Sequence, residues 1–324
     1  MHAIVYNAFG TPDVLSLQEV ACPEPGSGQV RVAIYAAGTN PVDAGNRQDG
    51  SWAGLHPPVI PGCDASGVID AVGSGVTTFA PGDDVFYMTD FLHHSQGTYA
   101  EYQVVDAALI APKPPTLTHV EAAAMPLAGG TAYEAIIRRL ALTRGEWILM
   151  FGAAGGVGSL ALQIAVARHA HVIAVARSRH HGLLSALGAA ACLDYTTQDV
   201  VAEARAIAGR KLDALADFVG GETVARSLSA IRPYGRVASI AGLAGDLEPL
   251  LDFNLTLHGV LVRPERTRLL ELGALIASGG LHPIIDQVLP LKEAAQAHRR
   301  LETGHGQGKI VLAVREEKGE FAVN

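Results

Sequence analysis

The sequence predicts an α/β chain in two parts: a β-rich segment with antiparallel strands, then a doubly wound parallel sheet. Three observations carry this. Short β-rich runs punctuated by Gly and Pro fill the chain up to about residue 120. Beyond residue 145, apolar strands alternate with helical stretches. Between the first of those strands and its helix lies FGAAGGVGS, residues 151–159. A length of 324 residues is a soft prior for two domains, and 49% hydrophobic residues supply material for two cores.

Taken in order, HAIVYNAF, LSLQEV, QVRVAIYAA, GVIDAVG, DDVFYM and TYAEYQVV read as strands, divided by CPEPGSG, LHPPVIPG, VGSGV and APGDD. THVEAAAM reads as a short helix with Thr118 as cap and Glu121 closing a capping box. EWILMFGA is a strand, VGSLALQIAVARHA a helix, HVIAVAR a strand and HHGLLSALGA a helix. ACLDY and LDALADFVG are further strands with VVAEARAIAG helical between them. ETVARSLSAIRPYG is expected as a helix and RVASIAG as a strand, with LTLHGVLV (255–262) closing the sheet. PERTRLLELGALIASGG and KEAAQAHRRLETG read as helices, HPIIDQVLPL and KIVLAV as strands, and REEKGEFAVN as a polar, mobile tail.

Composition narrows the function. A net charge of −8 argues against nucleic acid or an anionic membrane as partner. No apolar run approaches a membrane span, and the N-terminus lacks a basic region followed by an apolar one. The three cysteines, Cys22, Cys63 and Cys192, are odd in number and far apart, which points to a reducing compartment, with the cytoplasm as default.

FGAAGGVGS carries the most chemistry. Aligned to the dinucleotide fingerprint, Ala153, Gly155 and Gly158 take the three glycine positions. The middle one lets backbone approach a pyrophosphate, and the third lets helix and strand pack closely. The N–H groups of Ala154, Gly155, Gly156, Val157 and Gly158 at the helix start then face phosphate. The next strand ends in Ala176-Arg177-Ser178-Arg179, with no carboxylate for a ribose 2′-OH. Arg177, Ser178 and Arg179 suit the 2′-phosphate of NADP(H) instead. His180 and His181 read as surface residues at a helix start.

Together these residues resemble the zinc-independent quinone oxidoreductases (zeta-crystallin-like) of the medium-chain dehydrogenase/reductase superfamily. AAGTNPVD (36–43), VIPGCDASGVIDAVG (59–73), GTYAEYQVV, FGAAGGVGS, FVGGETVARSLSAIRPYGRVASIAG and NLTLHGVLV fall in that family's order. The resemblance implies a GroES-like β-rich catalytic domain (1–121 and 264–324) and a Rossmann NADP-binding domain (122–263), with an active site in the cleft between them. It also implies a homodimer through the edge strand 255–262, which fits the need to cover an open apolar edge.

By resemblance, Asn40 lies beside the nicotinamide and holds its ring or the acceptor oxygen, with capping of a loop as the plainer role. Thr131 sits near the nicotinamide, compatibly with a helix N-cap. Tyr195 packs near the adenosine. Gly242 and Leu243 lie at a strand's C-terminal end, the ligand side of such a sheet. Lys309 either reaches the cofactor or is a surface residue. Asp43 and Arg47 are expected to pair and hold the Asn40 loop. Zinc-dependent relatives carry Cys where this chain has Asn40, His where it has Cys63, and a cysteine-rich lobe that is missing here. Cys63 and Asp64 supply at most two ligands of the three a catalytic zinc needs, and adjacent His93 and His94 do not both reach one metal. Cys63 then reads as a small buried residue and Asp64 as a turn stabiliser through its own backbone bonds.

Without a metal acid, the hydride acceptor must already be electrophilic, as quinones and α,β-unsaturated carbonyls are. Enoyl-thioester reductases of the superfamily use a Tyr shortly after the Asn segment; Trp52 stands in that stretch and is no practical proton source. Trp52 could instead wall a flat substrate, and His56 could donate a proton. The readings carried forward are an NADPH-dependent quinone oxidoreductase, an alkenal or enone reductase, a non-enzymatic NADPH-binding protein and a zinc alcohol dehydrogenase.

Overall fold

The computed structural model describes residues 1–92, 94–304 and 306–316. The strands, in chain order, are β1 (His2–Val5), β2 (Ser16–Glu19), β3 (Gln29–Gly38), β4 (Asp64–Val72), β5 (Asp84–Met88), β6 (Tyr102–Asp106) and β7 (Ala111–Pro112). They continue with β8 (Trp147–Phe151), β9 (His171–Val175), β10 (Ala191–Leu193), β11 (Leu212–Asp217), β12 (Ile231–Ser239) and β13 (Thr256–Gly259), and close with β14 (Ile285–Pro290) and β15 (Lys309–Ala313). The chain forms two compact units: Met1–Leu127 with Arg263–Ala277 and the segment from Ile285 onward, and Ala128–Val262 with Ser278–Ile284.

The first unit is built on β3. Its inward residues Val30, Val32, Ile34 and Ala36 are fully buried, at the two-residue period of a strand. The main sheet runs β14-β15-β3-β4-β5-β7, with β6 also pairing β3. Gly38, the last residue of β3, pairs with Asp64 on one side and Val311 on the other, so the starts of β4 and β15 meet at one point. Just before β4 the chain turns at Gly62 (φ +101°), where a Cβ would stand 2.3 Å from the Tyr99 ring. Only glycine fits there.

One element departs from expectation in this unit. Pro41–Asp49 is a helix, not a loop. The signals are local: Asn40 at the cap, Pro41 at N1 and Asp43 at N3. The expected helix His119–Ala123 is present, with Glu121 N donating to Thr118 Oγ1 at 3.2 Å and Thr118 N to Glu121 Oε2 at 2.9 Å. His93 and residues 317–324 of the expected tail lie outside the described residues.

The second unit is a six-stranded parallel sheet in the order β10-β9-β8-β11-β12-β13. Strand β8 is central, with β9 on one side and β11 on the other, so the strand order reverses beside it. In an open α/β sheet that is where ligands bind, off the carboxyl ends. Strand β13 is the sheet edge. The helix expected through Gly235 stops early: Thr223–Ser227 is helical, but Ile231–Ser239 is strand β12. Pairing of Ile231 with Leu212 overrides the local helical preference. Helix Pro126–Tyr133 runs on into a wider-wound stretch, Glu134–Arg139, where Leu140 N donates to Ala135 O at 2.8 Å. Such π-turns recur at functional sites. Among the described residues no helix is long and apolar enough to cross a membrane.

Candidate active site

In the first unit the predicted residues converge on the point where β3, β4 and β15 meet. Asn40 is buried, and its amide hydrogen bonds run to two charged side chains. Nδ2 donates to Asp64 Oδ2 at 2.9 Å, and Oδ1 accepts from Lys309 Nζ at 2.5 Å. Lys309 Nζ also donates to Thr39 O at 2.7 Å and stands 3.4 Å from Asp64 Oδ2. Lys309 is only 5% exposed, so the surface reading of this residue is corrected. Asp64 Oδ1 accepts Leu127 N at 2.8 Å. Its bonds reach other elements and not its own turn, contrary to expectation, because the start of β4 faces inward on both flanks.

The expected Asp43–Arg47 pair is replaced by other partners. Arg47, fully buried, pairs with Glu302. Asp43 Oδ2 accepts Asn40 N at 2.8 Å and Tyr99 OH at 3.1 Å, and Oδ1 accepts the Cys63 thiol at 2.9 Å. Positions 43 and 47 share a helix face, but Asp43 at N3 is taken by its own cap, Tyr99 and Cys63, and Arg47 by Glu302 of the Ala294–Glu302 helix. Cys63 is buried as expected.

Burial governs the titration of this cluster. It pushes the Asp43 carboxyl up to about 6, against the Cys63 hydrogen bond, with the Asp64 charge adding to the rise. Burial likewise raises Asp64, opposed by Lys309 and Asn40, and raises the Cys63 thiol well above its ordinary range. Tyr99 and His298 extend the network, with the phenol 3.4 Å from His298 Nε2; burial, then Arg47, lowers His298 to about 3. Sequence reasoning missed both, for no local pattern ties residues 199 positions apart. Trp52 is 58% exposed and lies beyond the C-terminal end of the helix that Asn40 begins; His56 is exposed as well.

In the second unit, the glycine turn follows β8. The tight turn itself falls on Gly152 (φ +68°), one residue before the expected position, and Ala153 is fully buried behind it. A Cβ on Gly158 would lie 2.1 Å from Gly152 O, so this glycine is required by strand–helix packing. A Cβ on Gly155 would meet only Gly152 O at 3.4 Å. Beyond that contact the space a Cβ at 155 would fill is open. Gly155 is the N-cap of helix Gly156–Ala167, and no side chain caps it. The N–H groups of Gly156, Val157 and Gly158 are thus at the uncapped first turn, a cradle for a pyrophosphate. Ala154 is buried in the turn ahead of them.

Arg177 and Tyr195 are brought together, Arg177 Nε donating to Tyr195 OH at 3.0 Å; Tyr195 is 50% exposed. Ser178 N donates to Asp194 Oδ2 at 2.7 Å, and Arg179 Nε to His180 Nε2 at 3.0 Å. His180 is buried, which corrects its surface reading. Asp194 is a carboxylate that β10 delivers to a spot the local sequence leaves without one. Hydrogen bonds from Thr196 first, then Ser178, hold it well below the usual carboxylate range.

Asp217, buried at the end of β11, was also unforeseen. It accepts Val219 N and Gly220 N at 3.0 Å and Ser239 Oγ at 2.9 Å. This holds the loop after β11 against β12, where Gly221 N donates to Gly242 O at 2.8 Å and Gly221 bridges Leu243. Gly242 and Leu243 are exposed at that strand end. Thr131 lies within helix Pro126–Tyr133, 5% exposed, and not at its cap.

Each unit's fold and the glycine turn define a nicotinamide-dependent oxidoreductase. Comparison with known proteins extends this. The family model "Alcohol dehydrogenase GroES-like domain" matches residues 26–115, and "Zinc-binding dehydrogenase" matches 187–312. The chain is 33% identical to the NADPH-dependent alkenal/one oxidoreductase of Arabidopsis thaliana chloroplasts, over 96% of this chain and 79% of that protein. It is 31% identical to quinone oxidoreductase of Mus musculus, over 96% and 97%. A crystal structure of an NAD-dependent alcohol dehydrogenase superposes with a TM-score of 0.92 at 35% identity, covering 97% of this chain and 100% of that one. The chain belongs to the medium-chain dehydrogenase/reductase superfamily, among its quinone and alkenal oxidoreductases. Among the described residues no group of three or more His, Cys, Asp or Glu side chains could hold a metal ion.

Proposed function

We propose that the protein is an NADPH-dependent quinone oxidoreductase working without a metal. The observation that carries the reading is Gly155, where a Cβ would meet only Gly152 O at 3.4 Å, at the head of an uncapped helix start. Bound there, the reduced nicotinamide would supply the hydride. Gly156, Val157 and Gly158 would bind the pyrophosphate through backbone N–H groups. Arg177 with Ser178 and Arg179 would hold a 2′-phosphate, and Tyr195 would lie against the adenosine. Ionised Asp194 works against that phosphate, since its bonds from Ser178 and Thr196 keep it charged, and the guanidiniums of Arg177 and Arg179 would have to outweigh it. Thr131, Gly242 and Leu243 would line the nicotinamide end. Asn40 would donate to the acceptor oxygen, and solvent would protonate the reduced product. The metal-free route is supported by the donor count: Cys63 and Asp64 fall short of three ligands, and both turn to protein partners.

The name of the Arabidopsis relative favours a second reading, reduction of an alkenal or enone. NADPH oxidation followed with a benzoquinone and with an enone, side by side, separates the two. Turnover of the quinone at ten times the rate or more is expected; the reverse would make the protein an enone reductase. One zinc per chain by elemental analysis would overturn the metal-free route.

We further infer a homodimer through β13, since that strand ends the sheet with unpaired backbone groups and Leu261 beside it is 62% exposed. Sedimentation should give the dimer mass. The cytoplasm is the proposed compartment, in keeping with three free cysteines.

A further inference from the structure

We propose that Lys309 and Asp64 are positioning residues that fix which way the Asn40 amide faces, leaving one amide hydrogen for the acceptor's carbonyl oxygen. The inference rests on the oxidoreductase reading above and assigns a task within that site.

An ammonium only donates hydrogen bonds and a carboxylate only accepts them. Lys309 Nζ lies 2.5 Å from Asn40 Oδ1, and Asp64 Oδ2 lies 2.9 Å from Asn40 Nδ2. Turning the amide over would set its NH2 against the ammonium and its oxygen against the carboxylate. Both contacts would become repulsive, inside a site where Asn40 is 2% exposed and charge is poorly screened. One orientation therefore survives. In it, Asn40 Oδ1 accepts from Lys309 and one Nδ2 hydrogen goes to Asp64, so the second Nδ2 hydrogen is the one donor of this side chain left to a ligand.

The clamp is itself anchored. Thr39 O at 2.7 Å holds Lys309, and Leu127 N at 2.8 Å holds Asp64. Both residues open strands, β15 and β4, and the register of those strands on Gly38 sets their spacing. A site built on paired strands keeps its geometry better than one on a loop. A buried ion pair kept only for stability would not need an amide between its members.

The test compares wild type with Lys309→Met/Asp64→Asn and with Lys309→Arg. The double variant leaves no unpaired buried charge, so it should fold, and the amide it places at position 64 accepts either orientation of Asn40. Two readouts are taken: kcat and KM with NADPH and a benzoquinone, and side-chain amide signals of Asn40 after selective 15N-asparagine labelling, assigned by their loss in Asn40→Ser. In wild type the Asn40 pair should be two distinct, slowly exchanging signals. In the double variant, where the amide can turn over, both signals should move toward the averaged positions of an unrestrained asparagine amide, and kcat should fall about 10- to 100-fold with KM for NADPH within about 2-fold. Lys309→Arg, which keeps a cationic donor, should recover most of the loss. A folded double variant with wild-type kcat, or with unchanged Asn40 signals, overturns the proposal alone. A wild type that turns over neither quinone nor enone overturns the oxidoreductase reading and this assignment with it.

Discussion

The two units present their functional residues in opposite ways. In the first, Asn40, Asp43, Asp64, Tyr99 and Lys309 are all buried, and each is held by side chains from distant parts of the chain. In the second, backbone does most of the holding: a glycine turn, an uncapped helix start, and a half-exposed Arg177–Tyr195 pair. A buried polar network couples function to stability, because removing a member strands its partner in a low dielectric. A backbone cradle does not; its limits are steric. Substitutions in the two units should therefore fail by different routes.

The largest effect should come from Asp64→Ala, which leaves the Lys309 ammonium and Leu127 N without their partner. Loss of about 3–5 kcal/mol is expected in urea unfolding; a loss below about 1 kcal/mol would show that the network is not coupled to stability as described.

Asp43 gives a pH signature. Its carboxyl, at about 6 against 3.8 when free, keeps its proton longer in the folded protein. The stability this adds is complete below the free value and lost as pH rises through about 6. A shift of about two units corresponds to roughly 3 kcal/mol. In Asp43→Asn the amide oxygen can still accept Asn40 N and Tyr99 OH, with its NH2 toward Cys63. Unfolding free energies from pH 3.5 to 7 should lose that slope in the variant, and an unaltered slope would assign it to another group.

A sharper comparison lies within one turn. Gly158→Ala forces a Cβ to 2.1 Å from Gly152 O and should destabilise by about 1–3 kcal/mol. Gly155→Ala meets only a 3.4 Å contact and should change stability by less than about 1 kcal/mol, yet weaken NADPH binding about 10-fold or more. Equal stability costs, with unchanged binding at 155, would remove the case for a ligand there. The smallest structural effect belongs to Arg177→Ala. Its melting temperature should match wild type, while the extra stabilisation by NADPH over NADH in a thermal-shift titration falls by most of its value. Equal shifts by both cofactors in the wild type would argue against the 2′-phosphate site.

Much of the architecture was legible from periodicity and punctuation. Alternating burial in β3 and the apolar core strands β8 and β11 follow from spacing alone. Where reading failed, a distant partner or an unread cap was the reason. Asn40-Pro41 with Asp43 carried a helix-start signal that went unused for Pro41–Asp49. Ile231–Gly235 left the helix because β11 was there to pair with. Asp194 supplied a carboxylate from a neighbouring strand where the local stretch Arg177–Arg179 had none.

The sequence by itself determined the glycine turn, the alternation of apolar strands and helices behind it and the cationic stretch after β9, since each depends on residues near one another in the chain. Only the tertiary structure decided what Asn40, Asp43 and Lys309 touch. Asn40 and Lys309 stand 269 positions apart, and strand register alone brings them together. A buried polar side chain must find its partner wherever the fold supplies one, and no local pattern records where that is.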